Sequence, residues 1–178
     1  MTIPSFKQFL KEQTAVDIND DANEAQTSAH NGIEAELTDA QKLTGEYRKG
    51  IINFQGIPIQ IENPKHSVRR GIDNEWANTQ FAHYGFITDT IGADGDELDV
   101  YVSDNPDSPN VWVINQEVDG KFDEVKIMLG FIEVGDAMRA YYLSFDEDSQ
   151  VPANWVKTTD IDALKQWLAS GDTLGMYP

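Results

Sequence analysis

The 178-residue chain contains no cysteine, which excludes disulfides, thiolate catalysis and cysteine-ligated zinc together. Basic residues are scarce: 13 Lys plus Arg face 31 Asp plus Glu, a formal charge of −18. A chain this acidic repels a polyanion at long range, which argues against direct binding of nucleic acid through its phosphates. No apolar run approaches the roughly 18–20 residues of a membrane-spanning helix. The start Met1-Thr2-Ile3-Pro4-Ser5-Phe6 lacks the basic and apolar stretches of an export signal. The expected location is the cytoplasm. P-loop, Gly-x-Gly-x-x-Gly and Gly-x-Ser-x-Gly patterns are all missing, so phosphate-cradling loops and serine-hydrolase chemistry have no support.

What is present suffices for a core. Hydrophobic residues make up 40% of the chain and aromatics 10%, which excludes wholesale disorder. Residues 1–45 read as a short helix plus an acidic, flexible leader. Phe6, Phe9, Leu10 and Gln13 fall at i, i+3, i+4 and i+7, and from Asp17 to Ala40 seven acidic residues occur without Lys or Arg. Residues 46–178 read as one mixed domain. Ile51–Phe54 and Ile57–Ile61 flank Gln55-Gly56 as a hairpin, and further strands are expected near Phe86-Ile87, Leu98–Val102, Val111–Ile114 and Lys126–Phe131. Two helices are expected at Val134–Phe145 and Asp160–Ser170, the second capped by Thr159 or Asp160 and stopped by Gly171. Trp112, Trp155 and Trp167 read as core. Short strands at this spacing suggest a small barrel, so the expected class is α+β, mainly β.

The sharpest chemical feature is Asp94-Gly95-Asp96-Glu97-Leu98-Asp99-Val100. Its aspartates stand at i, i+2 and i+5 on a Gly-containing turn that enters a strand. Leu98, Val100 and Val102 define a buried face, which puts Asp99 on the face that can look into a cleft. Carboxylates gathered this closely repel one another unless a cation neutralises them, and Mg²⁺ fits because it binds a few carboxylates and keeps sites for water and phosphate. A solvated acidic turn is the competing reading. An EF-hand is excluded, because counting from Asp94 places Asp99 at position 6 and Asn105 at position 12, where Gly and Glu are required. Among the histidines, His66 beside Lys65 and Arg69 is a phosphate-contact candidate, whereas His83 reads as a hydrogen-bonded or solvated strand residue.

This motif resembles the signature of soluble family I inorganic pyrophosphatases, Asp-x-Asp-Pro/Glu-apolar-Asp-apolar. Three further segments are similar in the same order: Ile59-Gln60-Ile61-Glu62-Asn63-Pro64, Tyr84-Gly85-Phe86-Ile87, and Asp119 with Glu124 followed by Lys126. Within the family, the stretches Ile61–Lys65 and Lys126–Phe131 most resemble the short pyrophosphatase-like domains of phage and mobile-element proteins. The resemblance implies a five-stranded closed, OB-like barrel flanked by the two helices, and Mg²⁺-dependent hydrolysis of pyrophosphate by metal-activated water, with Mn²⁺ as a substitute. It implies metal ligation by Asp94, Asp99, Asp119 and Glu124 (or Asp123, one residue away), with Glu62 nearby. It further implies Asp96 as the residue that orients or deprotonates water, and Tyr84 and Lys126 as phosphate contacts. Lys65, Arg69, Arg70 and Tyr142 would bind substrate. Departures exist: the segment between Glu62 and Tyr84 is short, Gln80 stands where an aromatic is usual, and Tyr141-Tyr142 replaces a Tyr-Lys pair. The alternative is a non-catalytic virion scaffold that keeps the barrel and docks on a protein partner through its N-terminal helix. A homo-oligomer is left open.

Overall fold

The computed structural model describes residues 50–70, 77–144 and 153–178. The expected leader, and Phe145 at the expected end of the first helix, lie outside the described residues. The chain opens with strands β1 (Ile51–Phe54) and β2 (Ile57–Asn63). Between them Gln55 and Gly56 both take positive φ, 48° and 93°, the requirement of the tight type I′ turn whose twist suits a hairpin. Strands β3 (Val68–Arg70) and β4 (Ala77–Thr79) form a separate two-stranded sheet. Strands β5 (His83–Ile87), β6 (Asp99–Val102), β7 (Asn110–Val118), β8 (Lys121–Leu129) and β9 (Val156–Asp160) complete the main sheet. Helix α1 spans Val134–Tyr142 and α2 spans Ile161–Ser170.

The main sheet has seven strands in the order β1-β2-β5-β6-β8-β7-β9. It is open, with β1 and β9 as its edges, which corrects the expected five-stranded closed barrel. Closure requires the first and last strands to pair, and strand spacing in a sequence says nothing about that pairing. Only β6 and β8 run parallel among its neighbours; the other pairs are antiparallel. The parallel pair arises because the β7–β8 hairpin folds back and inserts β8 between β6 and β7. That insertion sets Asp99 directly beside Lys126.

Both faces of the sheet are covered. On one, Ile59, Ile61, Ile87, Val100, Val102, Ile127 and Leu129 pack with Leu164, Trp167 and Leu168 of α2. On the other, Tyr84, Tyr101, Trp112 and Met128 pack with Ala137, Ala140 and Tyr141 of α1. Alternation along β6 assigns these faces: Val100 and Val102 point to the first, Asp99 and Tyr101 to the second. Trp112 and Trp167 are buried as expected, while Trp155 is half-buried at the margin of the second cluster. Helix α2 begins where the Asp160 side chain accepts a hydrogen bond from the Ala163 N–H at 2.9 Å and ends at Gly171, φ 83°, as sequence signals anticipate.

Candidate active site

Above Tyr84 and Tyr101, on the α1 face of the sheet, lies a cleft of about 430 Å³, a size suited to a small ligand. Its lining is Glu62 from the end of β2, Tyr84 and Phe86 from β5, and Asp94, Asp96 and Glu97 from the loop before β6. Asp99 and Tyr101 of β6 and Glu124 and Lys126 of β8 complete it. Four separate segments thus deliver six carboxylates and one ammonium to a single hollow.

The base of the cleft is an ion triad. Lys126 is 5% exposed; its Nζ donates to Asp99 Oδ2 and lies 2.7 Å from Glu124 Oε2. Tyr84 donates its hydroxyl to the same Asp99 oxygen at 2.7 Å. Burial alone would lower the Lys126 ammonium, but Asp99 and Glu124 on either side outweigh it and hold the group above its usual range. Burial conversely raises Glu124, against the downward pull of Lys126. The ring of Tyr84 packs tilted against Tyr101, centroids 5.1 Å apart and planes at 56°, which holds the phenol beneath the carboxylates.

The mouth of the cleft is a loop locked by its own backbone. The Gly92 N–H donates to the Asp96 carbonyl at 2.7 Å, and the Asp96 N–H donates to Asp94 Oδ1 at 3.1 Å. Gly95 adopts φ 93°, a conformation costly for any residue with a side chain. Asp94, Asp96 and Glu97 are exposed there, whereas Asp99 is half-buried. Asp96 and Asp94 therefore stand at the rim and Asp99 at the floor. The tight convergence expected of these acids is not seen: among the described residues no three acidic or histidine side chains already form a cluster able to hold a metal. At the floor Lys126 stands between Asp99 and Glu124 and pairs with both, one positive charge shared by two carboxylates.

A third feature was invisible in the sequence. Strand β7 shifts register against β8 between Asn115 and Glu117, a bulge centred on Gln116. The buried Gln116 amide donates from Nε2 to Asp123 Oδ2 at 2.9 Å and to Glu124 Oε1 at 3.1 Å. Its Oε1 accepts the Tyr141 hydroxyl at 2.5 Å, a phenol that burial pushes up and keeps protonated.

Of the anticipated residues, Glu62, Tyr84, Asp94, Asp96, Asp99, Glu124 and Lys126 come together in the cleft. The rest do not line it. Asp119 is exposed in the β7–β8 turn, where it and Gly120 take positive φ, 51° and 73°. Asp123 accepts from Gln116 and stays outside the lining, whereas Glu124, which accepts from the same amide, lines the cleft. Lys65 pairs with Asp104 and its N–H donates to His83 Nδ1 at 3.0 Å. Tyr142 is half-buried beside Tyr141, ring centroids 6.3 Å apart. Arg69 and Arg70 sit on β3, their side chains outside the description, and His66 is exposed outside the lining. Phe86, Glu97 and Tyr101 line the cleft without having been anticipated there. Among the described residues no helix is long and apolar enough to cross a membrane.

A family model described as Inorganic Pyrophosphatase matches residues 39–169. No curated protein matches the chain significantly. Among solved structures, the inorganic pyrophosphatase of Helicobacter pylori is similar at 20% identity over 64% of this chain and 89% of that one, with a TM-score of 0.30. A structure described as an inorganic phosphatase from Anaplasma phagocytophilum is similar at 18% identity over 67% of this chain and 88% of that one, with a TM-score of 0.28. The assignment rests on the sequence match, which takes in every segment of the cleft: the chain belongs to the inorganic pyrophosphatase family and is an inorganic diphosphatase.

Proposed function

We propose that the cleft hydrolyses inorganic pyrophosphate with Mg²⁺ as its cofactor, Mn²⁺ being able to substitute. The observation that carries this reading is the lining itself: six carboxylates and a single ammonium, the latter already shared between Asp99 and Glu124. Such a surface repels a diphosphate anion unless cations enter with it. The donor set fits Mg²⁺ in its chemistry, since it offers only hard carboxylate oxygens on an open face with room for water and phosphate. Asp94, Asp99 and Glu124 would hold the ion, with Glu62 acting nearby through water. Bound there, the ion supplies charge neutralisation and lowers the pKa of water.

The remaining steps belong to the chain. Asp96, exposed at the rim on its locked loop, orients the attacking water and accepts its proton. Lys126 Nζ and the Tyr84 hydroxyl stand at the floor, where they meet the phosphate that departs and stabilise its growing negative charge. The apolar wall of Phe86 and Tyr101 limits the water around that charge and strengthens both contacts. The scaffold alternative draws on the leader, which lies outside the described residues, and the likeness to phage domains on the stretches Ile61–Lys65 and Lys126–Phe131 as sequence alone.

The test is phosphate release from pyrophosphate in the presence of Mg²⁺ by the full chain and by Asp96→Asn and Asp99→Asn. The reading expects release by the wild type and a loss of about 100-fold or more in each variant, the scale of removing a proton acceptor or a charge-stabilising group. Release unchanged in both variants would contradict it.

A further inference from the structure

Consecutive residues of a strand point to opposite faces, so one side chain seldom reaches two of them. Gln116 reaches both Asp123 and Glu124, at 2.9 Å and 3.1 Å, and the bulge in β7 is what allows it. A bulge inserts one extra residue and re-aims its side chain. Two ionised carboxylates can only accept, so the amide must turn Nε2 towards them and leave Oε1 for a donor. The Tyr141 hydroxyl from α1 is that donor, at 2.5 Å. The amide therefore has one orientation, set from the helix side and read out on the strand side. Its consequence falls on Glu124. Gln116 fastens Oε1, and the other oxygen, Oε2, is left facing Lys126 and the cleft, 2.7 Å from Nζ.

We propose that Gln116, oriented by Tyr141, is a positioning residue that presents Glu124 Oε2 to the divalent cation. The proposal rests on the reading of the cleft given above and adds to it a clamp supplied by strand β7 and helix α1. Without Gln116, only the ion pair of Oε2 with Lys126 would hold this carboxylate, and Oε1 would be free to turn towards solvent. The ordering cost would then fall on cation binding. Partners of this kind typically change metal affinity by about 10–100-fold when removed. Gln116 and Tyr141 act in series, since the Tyr141 hydroxyl donates to the amide oxygen and the amide nitrogen donates to Glu124.

The experiment compares wild type, Gln116→Met, Tyr141→Phe and the double variant. Methionine nearly matches glutamine in shape while lacking its donors and acceptor. Two readouts are taken: Mg²⁺ affinity by titration calorimetry without pyrophosphate, and the Mg²⁺ concentration giving half-maximal phosphate release. The proposal expects Gln116→Met to weaken Mg²⁺ by about 10-fold or more, Tyr141→Phe to weaken it less, and the double variant to match Gln116→Met. It further expects excess Mg²⁺ to restore kcat. A purely structural role would lower the melting temperature without moving the Mg²⁺ midpoint, and that result overturns the proposal, as would additive effects of the two substitutions. If Gln116→Met fails to fold, Tyr141→Phe decides: an unchanged Mg²⁺ affinity overturns the proposal. A wild type that binds Mg²⁺ but releases no phosphate defeats the catalytic reading alone, because the calorimetric comparison still decides the clamp. A wild type that binds no Mg²⁺ defeats both.

Discussion

His83 is fully buried at the start of β5, next to the Tyr84 that anchors the cleft floor. Burial holds its imidazole down at about 4, against an ordinary value of 6.5; Asp104 pulls it back up, while Lys65 and His66 push it further down. The folded protein therefore prefers a neutral His83, whose Nδ1 accepts the Lys65 N–H. The unfolded chain takes up the proton first as pH falls, so this contribution to stability is fully present above pH 6.5. It is lost progressively down to about pH 4. The gap corresponds to roughly 3 kcal/mol. His83→Asn, which keeps an acceptor for the Lys65 N–H, is expected to flatten that part of the stability curve when urea denaturation is repeated from pH 7 to pH 4. An unchanged slope would assign the pH dependence elsewhere. Single residues also mark the limits of the sequence. Asp99 was legible because charge on a strand that alternates with buried apolar residues must face a cleft or solvent, whereas Tyr84, Glu124 and Lys126 were legible through the family resemblance of their segments. Gln116 was not: a polar residue within Val111–Val118 reads as surface, and no local signal announces a bulge.

Among the elements, the β2–β5 pair matters most to the site, because it carries Glu62, Tyr84 and Phe86. The two strands approach so closely at Gly85 that a Cβ there would sit 1.9 Å from the Gln60 carbonyl oxygen. Gly85→Ala must push backbone against backbone. The expected loss is at least about 3 kcal/mol, the upper end for an overpacked interior, measured by urea denaturation, together with impaired phosphate release as Tyr84 and Phe86 shift on either side. Full retention of both would show the contact to be slack. The hairpin at Gln55-Gly56 and helix α2 were readable because turn and cap chemistry is local: a Gly where φ is positive, an Asp at the N-cap, a Gly at the stop. Strand β9 was missed for the opposite reason. Val156–Asp160 is an edge strand whose residues are half-buried or exposed, Val-Lys-Thr-Thr-Asp, so burial leaves no alternating apolar pattern to detect. Asp119, which the family resemblance marks as a ligand, stands exposed in the β7–β8 turn beside Gly120, both at positive φ, and outside the cleft lining.

For the whole molecule, the formal charge of −18 and the acidic cleft pose one electrostatic problem. A diphosphate must approach a protein that repels it, and the floor holds one lysine already shared by two carboxylates. The sequence made the acidic motif and the mostly β composition plain, yet not the open seven-stranded sheet, because pairing between distant strands is set by long-range contacts and not by local pattern. What that sheet accomplishes is the parallel placement of β6 beside β8, which brings Asp99 to Lys126 across 27 positions of chain. The account's central claim is that divalent cations let this cleft accept pyrophosphate. Its most direct test is phosphate release by the full chain at fixed pyrophosphate as free Mg²⁺ is raised from a chelated baseline. The account predicts no release under chelation and a saturable rise with Mg²⁺; release that persists under chelation, or none at any Mg²⁺ concentration, would contradict it.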